Sequence, residues 1–170
     1  LPKVKNVKNV IFMIGDGMGL NQVYAGMTAN GGHLNIERCT HVGLAKTYSA
    51  NSYITDSAAG GTALASGNKT NNGMIGMNAD SVAVKSILEM AEEAGMATGL
   101  VATVRITHAT PAAFYAHQIN RSMYQEIAAD MLTSGVDFFV GGGRNNFEVR
   151  KDSLNYSDSL RNANYNIVYS

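Results

Sequence analysis

The amino-acid sequence predicts an α/β fold with a mostly parallel sheet flanked by helices on both faces. Apolar runs alternate with helical patterns along the chain, which is typical of βαβ units. One of these runs, residues 10–14, is continuously apolar, as a buried parallel strand is, and it is followed by glycines. With 170 residues, 45% of them hydrophobic, the chain can bury one good core. We therefore expect residues 1–170 to form a single α/β domain.

The strands are predicted from short apolar runs bounded by turn-forming residues. Four of them are expected near residues 8–14, 42–48, 97–104 and 136–141, and a fifth is expected near 165–169.

The helices are predicted from apolar residues at helical spacing and from residues that cap helix ends. One helix is expected to begin at Ser57 and end near Gly67. A second spans 81–94, capped by Asp80 or Ser81 and ended by Gly95. A third begins at Ser122, with Gln125 completing a capping box, and runs to Gly135; a short fourth covers residues 158–163.

Charge and composition exclude several classes of function. Thirteen basic and thirteen acidic residues give a formal net charge of +0, which does not favour binding to nucleic acid or to an anionic membrane. No segment approaches the roughly 18 consecutive apolar residues of a membrane helix. The N-terminus lacks the apolar core of a signal peptide. The sequence therefore predicts a small-molecule partner, with neither nucleic acid nor membrane.

Segment 14–19 (Ile-Gly-Asp-Gly-Met-Gly) places one carboxylate between glycines at the end of a predicted strand. Ligands of open α/β sheets bind at this end of the strands. A carboxylate among the glycines would repel a phosphate unless a cation lies between them. Asp16 is therefore a candidate metal ligand.

Segment 55–63 places Ser57 among small residues at a predicted helix start. The N-terminus of a helix favours an anion, and a serine hydroxyl there could attack a phosphoryl group. No GxSxG elbow surrounds Ser57, so activation by a metal is the better hypothesis. The alternative is that Asp56 or Ser57 only caps the helix. Gly60 and Gly61 weaken that alternative, because glycines inside a helix indicate close backbone approach.

Segment 107–113 brings a histidine and a threonine to the end of a third predicted strand. His108 and Thr110 would face the same way on an extended backbone, which Pro111 favours at Thr110. An ordinary polar contact is the alternative to a metal role for His108. Arg121 could be a solvated surface residue, but its planar fork fits two phosphate oxygens.

In this order, the three motifs resemble the N-terminal part of the alkaline phosphatases. The resemblance covers roughly residues 8–145 and depends on segments 14–19, 55–59 and 108–112, with Arg121 at the expected distance. It implies an alkaline-phosphatase-like fold, present here in part. It also implies phosphate monoesters as substrates and inorganic phosphate as a product.

The resemblance further implies a role for each candidate residue. Asp16 would bridge one of two zinc ions and a magnesium ion, and Thr110 would join the magnesium shell. Ser57 would bind that zinc, attack the phosphorus and form a phosphoserine intermediate, while Arg121 holds two phosphoryl oxygens. His108 stands where some members carry aspartate and others histidine, so the identity of the third metal stays open. A homodimer exported to the periplasm or cell surface is implied by the resemblance alone.

The family's further zinc ligands are not matched in this sequence. Its four histidines include none beyond Arg121, and a catalytic zinc needs about three protein ligands. We therefore expect residues 1–170 to be the N-terminal part of a longer catalytic domain, with weak metal binding and no appreciable phosphatase activity alone.

Two further functions stay open on the sequence. One is a related metal-dependent hydrolase, such as a phosphodiesterase, sulfatase or phosphoglycerate mutase. The other is a non-catalytic module that binds phosphate or metal. A dinucleotide-binding domain is disfavoured, because the glycine spacing is wrong and Asp16 would face the pyrophosphate.

Overall fold

The computed structural model describes residues 7–169, which divide into two compact units at Leu44 and Ala45. In the first unit, α1 spans Leu20–Ala29 and a 3-10 helix spans Asn35–Arg38. No side chain of α1 is buried. The prediction of a single domain over residues 1–170 stays a prediction.

The second unit contains a parallel two-stranded sheet and the remaining helices. Its elements are α2 (Ser57–Ser66), α3 (Ile87–Glu93), β1 (Gly99–Arg105), α4 (Ala109–Ala112), α5 (Tyr124–Met131), β2 (Phe138–Gly142), α6 (Asn145–Glu148) and α7 (Tyr156–Asn162). Strand β1 pairs in parallel with β2, and the connection between them carries α4 and α5. This arrangement confirms the predicted α/β class.

Within this unit, α2 packs against α3 and α4, α4 against β1, and α6 against α5 and α7. The core combines large apolar side chains with the small residues of α2 and α4; its fully buried members include Ala58, Ala65, Ile75, Ala112, Ile127, Met131 and Val136. Among residues 7–169, no helix is both long and apolar enough to cross a membrane.

Three of the predicted strands are wrong. Residues 8–14, 42–48 and 165–169 form no ladder within the described chain. Apolar side chains of the first two segments are exposed, with Met13 at 88% and Leu44 at 98%. A strand needs a hydrogen-bonded neighbour, and sequence periodicity does not say whether one is present.

The helix ends show where local signals decide and where they do not. Helix α2 has the predicted bounds, and Gly67 ends it with a left-handed φ of 73°. The helix expected over 81–94 begins only at Ile87, because Ala83 pairs with Met77 and Ser86 supplies the cap.

Helix α5 is also shorter than the predicted 122–135, and the predicted capping box is absent. Its N-cap residue, Met123, has no side-chain cap, and the Gln125 side chain accepts a hydrogen bond from the Lys151 N–H instead. Helix α7 begins two residues before the predicted 158–163 because Asn155 caps it.

Candidate active site

Asp56 connects the start of α2 to two other parts of the second unit. Its Oδ1 accepts a hydrogen bond from the Ala59 N–H at 2.9 Å, which caps the helix. Its Oδ2 accepts from the Gly73 N–H at 3.0 Å and from Nη1 of Arg121 at 3.0 Å. Asp56 therefore caps the helix, as one interpretation of the sequence predicted. The same carboxylate also binds Arg121, the candidate phosphate ligand. Ser57, the next residue, is the first residue of α2 and is half-buried.

Gly61 allows α2 and α4 to pack closely. A Cβ atom at this position would lie 3.2 Å from Cβ of Ala113, tighter than most real contacts, and 3.4 Å from Cα of Thr110. Gly60 has no such neighbour, since its nearest side-chain atoms, in Thr55, are 3.6 Å away. The close approach predicted from the glycine pair therefore occurs at Gly61, and it brings the helix of Ser57 against the helix of Thr110.

His108 and Thr110 do not lie on an extended backbone as predicted. His108 is the extended N-cap residue of α4, whereas Thr110 is already helical. Proline is tolerated in the first turn of a helix, because the N–H groups there lack intrahelical partners. Pro111 therefore does not force an extended backbone at Thr110. The two side chains therefore do not share the face that an extended strand would give them.

Arg121 is half-buried and bound on two sides. Its Nη1 donates to Asp56, and its Nη2 donates to Nε2 of His108 at 3.3 Å. A guanidinium has no acceptor, so Nε2 of His108 carries no proton in this contact. The solvated surface position considered for Arg121 is therefore wrong, and the structure brings Arg121 and His108 together with Asp56, the residue before Ser57.

Arg121 ends a segment that we call the arginine strap, residues 117–121. The strap lies beside a second segment, the glycine loop, residues 73–76. Ile75 and Gln118 form an antiparallel bridge with reciprocal hydrogen bonds of 2.9 Å, and the Arg121 N–H donates to the Gly73 carbonyl at 2.7 Å. Thr62 of α2 accepts from the Gly76 N–H at 2.9 Å. Helix α2 and the arginine strap are thus joined through the glycine loop.

His117 fixes the other end of the strap. Its Nδ1 donates to the Gly76 carbonyl at 2.6 Å, and its Nε2 donates to Oε1 of Glu89 at 2.9 Å. Because both partners are acceptors, this geometry favours the doubly protonated, cationic form of the imidazole. Glu89 also accepts from the Ser86 N–H at 2.7 Å as part of the capping box of α3.

Each member of this pair stabilises the charge of the other. The hydrogen bond to Glu89 raises the pKa of His117 above its ordinary value, although burial acts in the opposite direction. Burial raises the pKa of Glu89, but the hydrogen bonds from His117 and Ser86 outweigh it and hold that pKa below its ordinary value.

Asp16 lies in the first unit. It occupies a turn that the Met18 N–H closes by donating to the Gly15 carbonyl at 3.1 Å, with Gly17 at a φ of 69°. The residue is exposed. Its convergence with Ser57 and Arg121 stays a prediction.

The described residues do not form a complete metal site by themselves. Over residues 7–169, no three His, Cys, Asp or Glu side chains come close enough to hold a metal ion. Thr110 and Ser57 offer hydroxyl oxygens, and Nε2 of His108 accepts from Arg121. The donors fit part of a coordination shell at most.

Sequence reasoning considered Asp56 only as a cap and did not identify His117 or Glu89. An aspartate before a predicted helix does indicate a cap, but nothing in the sequence indicates what its second carboxylate oxygen binds. The capping box of Ser86 and Glu89 was detectable in the sequence, although its contact with His117 depends on tertiary packing.

The sequence is similar to known alkaline phosphatases. The family model described as alkaline phosphatase matches residues 7–168. The chain is 41% identical to alkaline phosphatase 4 of Bacillus subtilis over 95% of its own length and 38% of that protein, and 40% identical to alkaline phosphatase 3 of the same organism. It thus spans about two-fifths of the length of the curated relatives it matches.

Solved structures show the same likeness. The alkaline phosphatase of the Antarctic bacterium TAB5 matches with a TM-score of 0.88 and 46% identity, over 91% of this chain and 45% of that one. The enzyme of Thermus thermophilus matches with a TM-score of 0.77 and 38% identity, over 86% and 32%. Two variants of the TAB5 enzyme, with a histidine replaced by aspartate or glutamate, are described as having Mg bound in the M3 site.

Proposed function

This chain belongs to the alkaline phosphatase family, and we propose that the protein hydrolyses phosphate monoesters at a site built around Ser57 and Arg121. One observation carries the proposal: Asp56, the residue before Ser57, binds the guanidinium of Arg121 at 3.0 Å. The Ser57 hydroxyl, a nucleophile, therefore follows directly in the chain after the residue that binds Arg121, a cation suited to phosphate oxygens.

Arg121 is proposed to bind two non-bridging oxygens of the phosphoryl group. Asp56 binds one terminal nitrogen of the guanidinium and His108 binds the other. The side chain is therefore already ordered, and little conformational entropy is lost when phosphate binds. Positioning and charge stabilisation supply most of the catalysis in phosphoryl transfer.

Ser57 is proposed as the nucleophile. Its hydroxyl gives up a proton to solvent as Oγ forms a bond to phosphorus and the bond from phosphorus to the alcohol oxygen breaks. The alcohol oxygen takes up a proton and leaves, and a phosphoserine remains. Water then releases inorganic phosphate and restores the serine. The position at the start of α2 favours the phosphate's negative charge through the helix dipole.

We propose Asp16, Ser57, His108 and Thr110 as the ligands that this chain contributes to two zinc ions and one magnesium ion. When bound, the ions would stabilise charge on the attacking and leaving oxygens. The remaining ligands would come from the part of the family fold that the match does not include. We therefore expect weak metal binding and little turnover from residues 1–170 alone.

The identity of the third metal is proposed to depend on His108. The TAB5 variants support this idea, since magnesium occupies the M3 site of that enzyme when a histidine has been replaced by a carboxylate residue. Carboxylate oxygen suits Mg²⁺, whereas imidazole suits Zn²⁺. A homodimer and export to the periplasm or cell surface remain expectations from the family.

The test compares Ser57→Ala with Ser66→Ala in the full-length gene product and in residues 1–170. Ser66 lies at the far end of the same helix, where its hydroxyl donates to the Thr62 carbonyl. With zinc and magnesium at alkaline pH, Ser57→Ala should abolish hydrolysis of p-nitrophenyl phosphate by the full-length protein, and Ser66→Ala should retain it. Residues 1–170 should show little turnover with either serine in place. Mass spectrometry after acid quenching should find phosphate on Ser57 only.

Several results would contradict the proposal. Faster hydrolysis of bis(p-nitrophenyl) phosphate than of the monoester would indicate a phosphodiesterase. Phosphate binding without turnover by the complete, metal-loaded protein would indicate a binding module. Full activity of Ser57→Ala would exclude Ser57 as the nucleophile.

A further inference from the structure

We propose that His117 is a positioning residue for Arg121, acting through the arginine strap together with Glu89 and Asp130. The inference rests on the proposed function of Arg121 as the phosphate ligand. It assigns a task to a cationic histidine that lies outside the proposed chemistry.

The middle of the strap is not held by the protein core. Ile119 is 58% exposed and Asn120 is exposed as well. The position of the Arg121 backbone is therefore set by the contacts on either side of Ile119 and Asn120, which include the bridge between Gln118 and Ile75. On one side the Arg121 N–H donates to Gly73, and on the other the contacts of the His117 ring fix the start of the strap next to that bridge.

The His117 end is anchored to three different elements. Glu89 from α3 and the Gly76 carbonyl from the glycine loop bind the two ring nitrogens. Asp130 from α5 accepts from the His117 N–H at 3.1 Å and from Nε2 of Gln118 at 2.8 Å. Glu89 binds the imidazole itself, whereas Asp130 binds the backbone N–H of His117 and attracts the ring only through its charge.

The packing at Gly76 leaves this anchor little freedom. Gly76 has a φ of 59°, and a Cβ atom there would lie against the Ala116 carbonyl oxygen and 2.8 Å from Nδ1 of His117. The backbone of the glycine loop therefore directly contacts the start of the strap. Because the same loop binds Asp56 through Gly73, a displacement at His117 would reach both partners of the pair between Asp56 and Arg121.

The experiment uses the full-length protein and measures binding of inorganic phosphate by calorimetry. His117→Gln is compared with His33→Gln, because His33 is also paired with a glutamate, Glu37, but is exposed. We expect His117→Gln to weaken phosphate binding about fivefold or more, a common size for coupling between sites, and His33→Gln to leave it unchanged.

A double-mutant cycle separates positioning from general damage. In an Arg121→Ala background, His117→Gln should have no further effect on phosphate binding. An equal loss in both backgrounds would overturn the inference, as would unchanged binding by a folded His117→Gln protein. If His117→Gln does not fold, Glu89→Gln keeps the test available, because glutamine also serves in capping boxes and removes only the charge.

A spectroscopic measurement makes the outcome independent of the proposed function. The NMR signal of the Arg121 Nε–H group should shift or broaden in His117→Gln but not in His33→Gln, without any phosphate. An unchanged signal would overturn the positioning role. If the signal responds but the wild-type protein neither binds phosphate nor hydrolyses esters, the proposed function fails while the anchoring of Arg121 stands.

Discussion

Replacement of Asp56 by alanine tests how strongly one carboxylate joins α2, the glycine loop and the arginine strap. The cap on the Ala59 N–H contributes about 1 kcal/mol. The charge-assisted hydrogen bond from the Gly73 N–H contributes about 1.5 kcal/mol. The ion pair with Arg121 adds less than about 1 kcal/mol, because the two side chains remain 30% and 25% exposed and are screened by solvent.

The expected loss is therefore about 3 kcal/mol, which corresponds to a fall in melting temperature on the order of 6–12 °C for a chain of this size. Urea unfolding followed by circular dichroism measures the free energy directly. The matched control is Asn155→Ala, because Asn155 also caps a helix, accepting from Ser157 and Asp158, and takes no part in the candidate site. It should lose only the contribution of a cap, about 1 kcal/mol.

The comparison of the two variants decides the outcome. If Asp56→Ala destabilises the protein no more than Asn155→Ala does, the second carboxylate oxygen contributes nothing beyond a cap. The links from Asp56 to Gly73 and Arg121 would then be incidental, and Asp56 would not join α2 to the glycine loop and the arginine strap.

Gly61→Val should destabilise the protein by about 1–3 kcal/mol in urea unfolding, because its side chain would overlap Ala113; a stability equal to that of wild type would show that the helices can separate freely. The raised pKa of His117 and the lowered pKa of Glu89 predict a pH-dependent contribution to stability. That contribution is full between the ordinary pKa values of the two groups, and it is lost as pH rises through the folded pKa of His117 or falls through that of Glu89. Urea midpoints across pH should show this for wild type and not for Glu89→Gln, and identical profiles would contradict it. In the full-length protein, His108→Asp should increase the dependence of activity on magnesium, as measured by titrating metal into the metal-free protein, and an unchanged dependence would exclude a role in the third site.

The sequence predicted the parts of the fold whose signals are local. Helix α2 was placed correctly because a capping residue begins it and Gly67 ends it with a left-handed backbone. The two strands of the sheet were also found near their actual positions. The start of α3 was misplaced because a bridge between Met77 and Ala83, a contact between separate segments, competes with helix formation.

For the candidate site, the sequence by itself determined which residue types are available and in which order. Ser57, His108, Thr110 and Arg121 were proposed from motifs, and the family that those motifs predicted is confirmed by the match over residues 7–168. Only the tertiary structure decided which groups bind each other. Asp56 and Arg121 are 65 residues apart, and Glu89 and His117 are 28 apart. The energy of such contacts depends on distances of a few ångströms, and packing of α2, α3 and α4 around the glycine loop sets those distances.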